Sequence, residues 1–83
     1  MKILKFSASW CGPCQGLKMT INGIKDQIPL EIEDIDIDKD QELSIKYGIR
    51  SVPTMIIVND TGDVQKRVTG ALTADQVLDF VKV

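Results

Sequence analysis

The sequence predicts an α/β domain with the element order βαβαββα, in which a four-stranded mixed sheet is flanked by three helices. Apolar segments of strand length begin near Lys2, Leu30 and Thr54. Apolar residues spaced by three and four predict the helices. A helical connection between the first two strands predicts a parallel, right-handed unit, and a short turn makes the last two strands antiparallel.

The first strand is predicted over residues 2–7, and a helix follows over about residues 11–27. Spacings of three and four give this helix one apolar face, made of Cys14, Leu17, Ile21, Ile24 and Ile28. Gly16 and Gly23 lie inside the helix. Because each interior glycine costs about 1 kcal/mol relative to alanine, we expect a soft helix. Pro29 helps to end it.

The second strand is predicted over residues 30–37, an alternating and acidic segment. Asp38 is predicted to cap a short helix that contains Leu43 and Tyr47. The helix is predicted to stop at Gly48. The helix is therefore expected to lie between the second and third strands.

The Thr54–Val58 segment is apolar at nearly every position, which is typical of a central strand. Residues 59–62 form a turn signal, and residues 63–69 supply the second arm of a hairpin. Thr73 and Gln76 fit a capping box that opens the last helix. Three of its residues are expected to face the core: Val77, Leu78 and Val81.

The length of 83 residues is enough for one domain, and we expect residues 1–83 to fold as a single unit. The net charge is −2 with both signs scattered, which argues against nucleic acid as a partner. No apolar run approaches the roughly 20 residues of a membrane helix. The apolar stretch at the N-terminus is also too short for a secretory signal. The expectation is a cytoplasmic monomer that binds neither nucleic acid nor membranes.

Cys11 and Cys14 carry the predicted chemistry, because they follow a strand directly and open a helix. The helix dipole and its free N–H groups favour an anion at Cys11. The thiolate is the nucleophile of disulfide exchange, so this position promotes attack. Cys14 lies one turn further on, close enough to displace a mixed disulfide. Pro13 suits the first turn, where its missing N–H would be unpaired anyway.

A pair with this spacing can also be half of a metal site, or two buried cysteines without chemistry. The sequence contains no His and no third Cys. A tetrahedral site in one chain would then need carboxylates beside the two thiolates, which is unusual for structural zinc. A metal or cluster shared between two chains stays open as an alternative. We expect redox chemistry that needs no cofactor beyond a reversible Cys11–Cys14 disulfide, and no bound metal.

Three motifs resemble those of the thioredoxin family and follow one another in the family's order. Residues 10–14, with the sequence WCGPC, resemble its active site. Residues 47–54, with the sequence YGIRSVPT, resemble the segment around its cis-proline. Residues 68–72, with the sequence VTGAL, resemble the glycine turn before its last helix. The similarity covers nearly the whole chain and implies a minimal thioredoxin fold.

The resemblance implies that Cys11 is the attacking thiol and Cys14 the resolving thiol of a protein-disulfide reductase. It also implies a cis bond between Val52 and Pro53. The implied docking surface for substrates consists of Trp10, Gly12, Pro13, Val52, Pro53, Gly70 and Ala71. Trp10 could instead be a core aromatic residue, and Gly70 could serve only the geometry of its turn.

Family members act on disulfide-containing proteins, and ribonucleotide reductase is a substrate that the resemblance suggests. A separate disulfide reductase regenerates their dithiol, with NADPH, ferredoxin or glutathione as the source of electrons. The Gly-Pro pair between the cysteines resembles the reducing members of the family rather than the oxidising ones. The sequence leaves the electron donor open.

Two departures from the family bear on function. The chain lacks the strand and helix that usually precede the first strand here, which leaves a glutaredoxin-like order of elements. However, residues 11–14 are not the glutaredoxin Cys-Pro-Tyr-Cys, and residues 70–73 do not match its Gly-Gly-x-Asp glutathione segment. A glutathione-linked reductant is therefore the first alternative. A redox-independent binding subunit of a partner enzyme is the second.

The other departure concerns two charged residues. Lys5 stands where the family usually has a buried acid, and Asp34 aligns with a lysine that often lies near that acid. We predict that Lys5 and Asp34 form an inverted pair beneath the active site and take part in proton transfer. A neutral Lys5 could accept the proton of Cys14, whereas a charged Lys5 would favour the thiolate. In the remaining alternative, Lys5 only extends its ammonium to water.

Overall fold

The computed structural model describes residues 1–82, and it confirms the predicted βαβαββα order. The strands are β1 (Lys2–Ser7), β2 (Glu31–Asp36), β3 (Thr54–Val58) and β4 (Val64–Thr69). The helices are α1 (Gly12–Ile24), α2 (Gln41–Lys46) and α3 (Ala74–Phe80), and a 3₁₀ turn over Lys25–Gln27 continues α1. The four strands form one mixed sheet in the order β2-β1-β3-β4.

The strand pairing follows from the lengths of the connections. β1 and β2 are joined through α1 and run parallel, with Lys5 opposite Asp34 and Ser7 opposite Asp36. β3 is antiparallel to both β1 and β4. The β3–β4 turn is closed by Asn59, whose side-chain oxygen accepts N–H bonds from Thr61 at 3.1 Å and Asp63 at 2.9 Å. The carboxyl ends of β1 and β2 therefore meet at the same edge of the sheet.

The core has two halves, one on each face of the sheet. Successive strand residues point to opposite faces, so alternate positions of β1 enter different halves. Ile3 packs with Met55 and Ile57 under α1 and α3. Leu4 and Phe6 pack on the other face, where residues of α2 and its C-terminal flank cover them. Every residue of β3 is buried, as its central position requires.

The ends of three elements differ from the sequence prediction, and one of them is β4, which begins at Val64 rather than at residue 63. α1 begins at Gly12 rather than Cys11, because Cys11 is the N-cap and has an extended backbone. Its last predicted turn, Lys25–Gln27, is 3₁₀ rather than α-helical. β2 is one residue shorter at each end than predicted and covers Glu31–Asp36.

The prediction that Asp38 caps α2 is wrong, and the cap is Asp40. The Asp40 side chain accepts the N–H of Leu43 at 3.2 Å. A turn at the end of β2 delays the helix by two residues, since the Asp36 carboxylate accepts the N–H of Asp38 at 2.8 Å. Gly48 ends this segment in the left-handed region with a φ of 63°. Asp38 is thereby released for a different contact, described below.

The capping box of α3 is present as predicted. The Thr73 hydroxyl oxygen accepts the N–H of Gln76 at 3.2 Å, and the Gln76 side chain accepts the N–H of Thr73 at 2.9 Å. Val77 and Val81 are buried, and Leu78 packs half-buried against the same core. The box fixes the start of α3 directly after the turn at residues 70–72.

Alanine at Gly16 or Gly23 is expected to stabilise the protein. Both glycines are exposed within α1, and a Cβ atom at either position would meet no other atom within 4 Å. Each substitution should raise the free energy of unfolding by about 1 kcal/mol, because the unfolded chain loses glycine's extra freedom. For a domain of this size that corresponds to about 4–8 °C in Tm.

Thermal and urea unfolding of Gly16→Ala and Gly23→Ala measure this gain. Gly70→Ala is the matched control, because Gly70 has a φ of 95° and alanine should destabilise the protein there. Unchanged Tm values for both helix variants would contradict the prediction. Slow amide exchange throughout residues 15–24 of the unsubstituted protein would equally contradict a soft α1.

Candidate active site

The cysteine pair lies at the start of α1, where a short connection leads from the end of β1. Cys11 and Cys14 form a disulfide with a Cα–Cα distance of 5.3 Å. Cys11 is the N-cap, and its Sγ accepts the N–H of Cys14 at 3.1 Å. The sulfur therefore occupies the positive end of a 13-residue helix. In the dithiol form, the same N–H and dipole stabilise a Cys11 thiolate.

Both cysteines are largely buried, with 4% of Cys11 and 6% of Cys14 exposed. Together with Ala8 they form a small apolar cluster, against which Ile37 and Val52 pack. Gly12 and Pro13, between the cysteines, are exposed. The two cysteines are therefore largely shielded from solvent, and the exposed residues Gly12 and Pro13 form the surface beside them.

The loop before β3 faces the cysteines. The Val52–Pro53 bond is cis. The carbonyl oxygen of Val52 lies 3.7 Å from the Sγ of Cys11. The carbonyl oxygen of Pro53 accepts the N–H of Gly70 at 2.8 Å, which brings Gly70 and the neighbouring Ala71 to the same place. The three sequence motifs thus meet in space.

Trp10 lies at the rim of this site and is 68% exposed, so the alternative of a core aromatic residue is wrong. Its Nε1 donates to the Asp38 carboxylate at 3.0 Å. This role of Asp38 is not among the contacts predicted from the sequence. The available signal was topological, because residues that follow two parallel strands meet at one sheet edge. Trp10 follows β1 and Asp38 follows β2.

Alanine at Asp38 is expected to release the indole of Trp10. Loss of one hydrogen bond of about 0.5–1.5 kcal/mol should weaken substrate binding by roughly 2- to 10-fold. Trp10 is the single tryptophan of the chain, so fluorescence anisotropy reports its motion directly. Asp38→Ala should lower the anisotropy and raise the KM for a protein disulfide. Asp38→Asn keeps an acceptor oxygen and should stay near the unsubstituted values; equal effects of both variants would contradict the assignment.

Lys5 and Asp34 are brought together next to the cysteines. The Lys5 Nζ lies 2.8 Å from an Asp34 carboxylate oxygen. The Lys5 side chain is 7% exposed and that of Asp34 is 67% exposed, so a buried cation meets a carboxylate at the sheet edge. Both residues line a cavity of about 220 Å³ that Cys14 also lines. The predicted pairing of Lys5 with Asp34 is present at the cavity beside Cys14, and their part in proton transfer stays a prediction.

Residues 1–82 contain no group of three or more His, Cys, Asp or Glu side chains arranged to hold a metal ion. Over the same residues, no helix has both the length and the apolar character needed to span a membrane.

A family model described as Thioredoxin matches residues 1–83. Among curated proteins, the chain is 34% identical over 82 residues to "Thioredoxin Y1, chloroplastic" of Arabidopsis thaliana, covering 96% of this chain and 47% of the relative. It is 36% identical over 78 residues to the thioredoxin of Bacillus subtilis, covering 92% and 74%. The chain therefore spans about half the length of the chloroplastic relative and three quarters of the bacterial one.

Solved structures agree with this likeness. A single-site mutant of the thioredoxin from Halobacterium salinarum superimposes with a TM-score of 0.86 at 34% identity, over 96% of this chain and 70% of that one. Fasciola hepatica thioredoxin superimposes with a TM-score of 0.84 at 28% identity, over 95% and 75%. The fold predicted from the sequence is therefore confirmed.

Proposed function

Because this chain belongs to the thioredoxin family, we propose that it reduces disulfide bonds of other proteins through Cys11 and Cys14. One observation carries the proposal. The Cys11 sulfur lies at the N-terminus of α1, accepts a backbone N–H, and faces the cis Val52–Pro53 loop at 3.7 Å. The Cys11 sulfur, the positive end of the α1 dipole and a loop whose backbone can pair with a substrate therefore lie together.

The reaction proceeds by two exchanges of sulfur partners. The Cys11 thiolate attacks one sulfur of a substrate disulfide, and the other substrate sulfur leaves with the electron pair and takes a proton from water. Cys14 then loses its proton and attacks the Cys11 sulfur. The bond from Cys11 to the substrate breaks, and the second substrate sulfur leaves as a thiolate that is protonated. The substrate gains two electrons and two protons, and the Cys11–Cys14 disulfide remains.

Substrate docking is proposed for the surface around Cys11, which we call the docking surface and define by Trp10, Gly12, Pro13, Val52, Pro53, Gly70 and Ala71. An extended substrate segment would pair with the backbone of the Val52–Pro53 loop like an added strand. Trp10, Gly70 and Ala71 are exposed beside that loop and offer apolar contact. These positions support recognition by backbone and shape rather than by a particular side chain.

The proposed setting is a cytoplasmic monomer in which residues 1–83 act as one domain without a bound cofactor. Its substrates are disulfide-containing proteins, with ribonucleotide reductase as one proposed example. A separate disulfide reductase regenerates the dithiol. Residues 70–73 lack the pattern of a glutathione-binding segment, which favours such a reductase over glutathione.

Turnover of insulin disulfides tests the proposal and its first alternative together. The oxidised protein is supplied with NADPH and a thioredoxin reductase in one reaction, with ferredoxin and its thioredoxin reductase in the second, and with glutathione and glutathione reductase in the third. Faster insulin reduction with either thioredoxin reductase supports the proposed circuit. Turnover with glutathione alone would instead favour the glutaredoxin-like alternative.

A further inference from the structure

The buried cation at Lys5 is not used in the two exchange steps above, and its position is unusual. The alternation along β1 places Ile3, Lys5 and Ser7 on the face that α1 covers. Ile3 enters the apolar core there, whereas Lys5 is 5% exposed and turns its ammonium toward Asp34 on β2. An ammonium is costly to bury, and the paired carboxylate offsets part of that cost.

The cavity at this point connects the ion pair with the second cysteine. Its lining includes Lys5 of β1, Asp34 and Asp36 of β2, and Cys14 and Lys18 of α1. Lys18 and Asp34 are exposed, so water screens their charges, and Asp36 is half-buried. Lys5 is the buried charge of this lining, and a buried charge acts most strongly on its neighbours.

We propose that the buried Lys5, paired with Asp34, is a positioning residue whose positive charge favours the thiolate of Cys14 in the reduced protein. This inference rests on the proposed function, because it concerns the thiol that releases the substrate. The 2.8 Å contact with Asp34 places a counter-charge beside the Lys5 ammonium. In this arrangement Lys5 acts through its charge and is not the base, and the proton of Cys14 passes to solvent.

A positive charge that favours the Cys14 thiolate has two effects, and the direction of each can be stated. A thiolate favoured at Cys14 attacks the mixed disulfide more readily. It also stabilises the dithiol form, which makes the protein a weaker reductant. Removal of the Lys5 charge should slow the attack by Cys14 and destabilise the dithiol form relative to the disulfide. Removal of the Asp34 charge should increase the thiolate fraction of Cys14 and stabilise the dithiol form, because the ammonium then faces Cys14 without its counter-charge.

The test uses Lys5→Met and Asp34→Asn, with Lys5→Arg to restore the charge. In a Cys11→Ser background Cys14 is the single thiol, and its ultraviolet thiolate absorbance is followed against pH. Lys5→Met should lower the ratio of thiolate to thiol about tenfold, the usual effect of losing one nearby opposite charge. Asp34→Asn should raise the ratio by a smaller factor, and Lys5→Arg should restore it.

The second measurement is the equilibrium with glutathione of the proteins that keep both cysteines. At a pH where Cys14 is ionised in the unsubstituted protein, Lys5→Met should shift this equilibrium toward the Cys11–Cys14 disulfide, and Asp34→Asn toward the dithiol. At low pH, where both thiols are protonated, the shifts should vanish. Opposite signs for the two variants exclude a merely structural role, which would move both in one direction.

A matched control is the Lys2–Glu33 pair, which joins the same two strands at 3.6 Å but is about half exposed. Lys2→Met and Glu33→Gln should leave both measurements unchanged. An unchanged Cys14 titration in Lys5→Met, or shifts of one sign in Lys5→Met and Asp34→Asn, overturns the inference. Neither measurement needs a protein substrate. If the variants show the expected shifts but the unsubstituted protein does not reduce insulin, the proposed function alone is overturned.

Discussion

Serine at Cys11 is expected to reduce insulin turnover to the background rate of dithiothreitol. A serine hydroxyl is not ionised at neutral pH and cannot form the mixed disulfide, so the first exchange is lost. The expected loss is on the order of 10⁴-fold or more, the scale at which enzymes lose activity without their nucleophile. The precipitation of insulin by dithiothreitol, with and without the variant, measures it.

Cys14→Ser is the matched control, because it removes the other sulfur of the same pair. This variant keeps the first exchange and loses the second, so it should accumulate a mixed disulfide with the substrate. Mass spectrometry then finds substrate attached to Cys11 in Cys14→Ser and none attached to Cys14 in Cys11→Ser. The reverse pattern would exchange the roles of the two thiols. Biological activity retained by Cys11→Ser would favour the redox-independent binding subunit.

Alanine at Phe6 is expected to cost about 3–5 kcal/mol of unfolding free energy, the usual effect of removing a buried aromatic ring. Phe6 is 0% exposed, and its ring centroid lies 6.1 Å from that of Tyr47. A domain of 83 residues has a total stability of about 4–12 kcal/mol at the usual value per residue. The variant should therefore lose at least about a quarter of this stability, and urea denaturation followed by circular dichroism measures the loss.

Ile45→Ala serves as the comparison, since Ile45 is also a large apolar residue but is 78% exposed. Its effect should stay within about 0.5 kcal/mol. Phe6→Leu keeps most of the buried area, so its loss of unfolding free energy should lie between those of Phe6→Ala and Ile45→Ala. A loss below about 1 kcal/mol in Phe6→Ala would mean that the half of the core under α2 contributes little to stability.

The elements of this fold could be predicted because their signals are local. The periodicity of α1, the apolar run of β3 and the capping box at Thr73 each depend on residues close in sequence, and each is present in the structure. The cap of α2 was misplaced because two aspartates of similar propensity stand two residues apart. The turn made by Asp36, a competing local bond, decides in favour of Asp40.

In the candidate site too, features with a local sequence signal could be predicted and features that depend on distant residues could not. Cys11 and Cys14 are close in sequence, and their place at a helix N-terminus follows from the strand before them. The contact of Trp10 with Asp38 spans 28 positions and depends on two parallel strands ending at one edge. The burial of Lys5 depends on which face of β1 lies under α1. Neither can be derived from a single segment, because each requires the packed sheet.

The small cluster of Ala8, Cys11 and Cys14 is joined to the half of the core that contains Leu4 and Phe6 through Ile37, which packs against both. Folding and reduction then form a closed thermodynamic cycle. The difference in unfolding free energy between the oxidised and reduced chains equals the free energy by which folding favours the disulfide. Any folded-state contact that favours the dithiol must narrow that difference by the same amount.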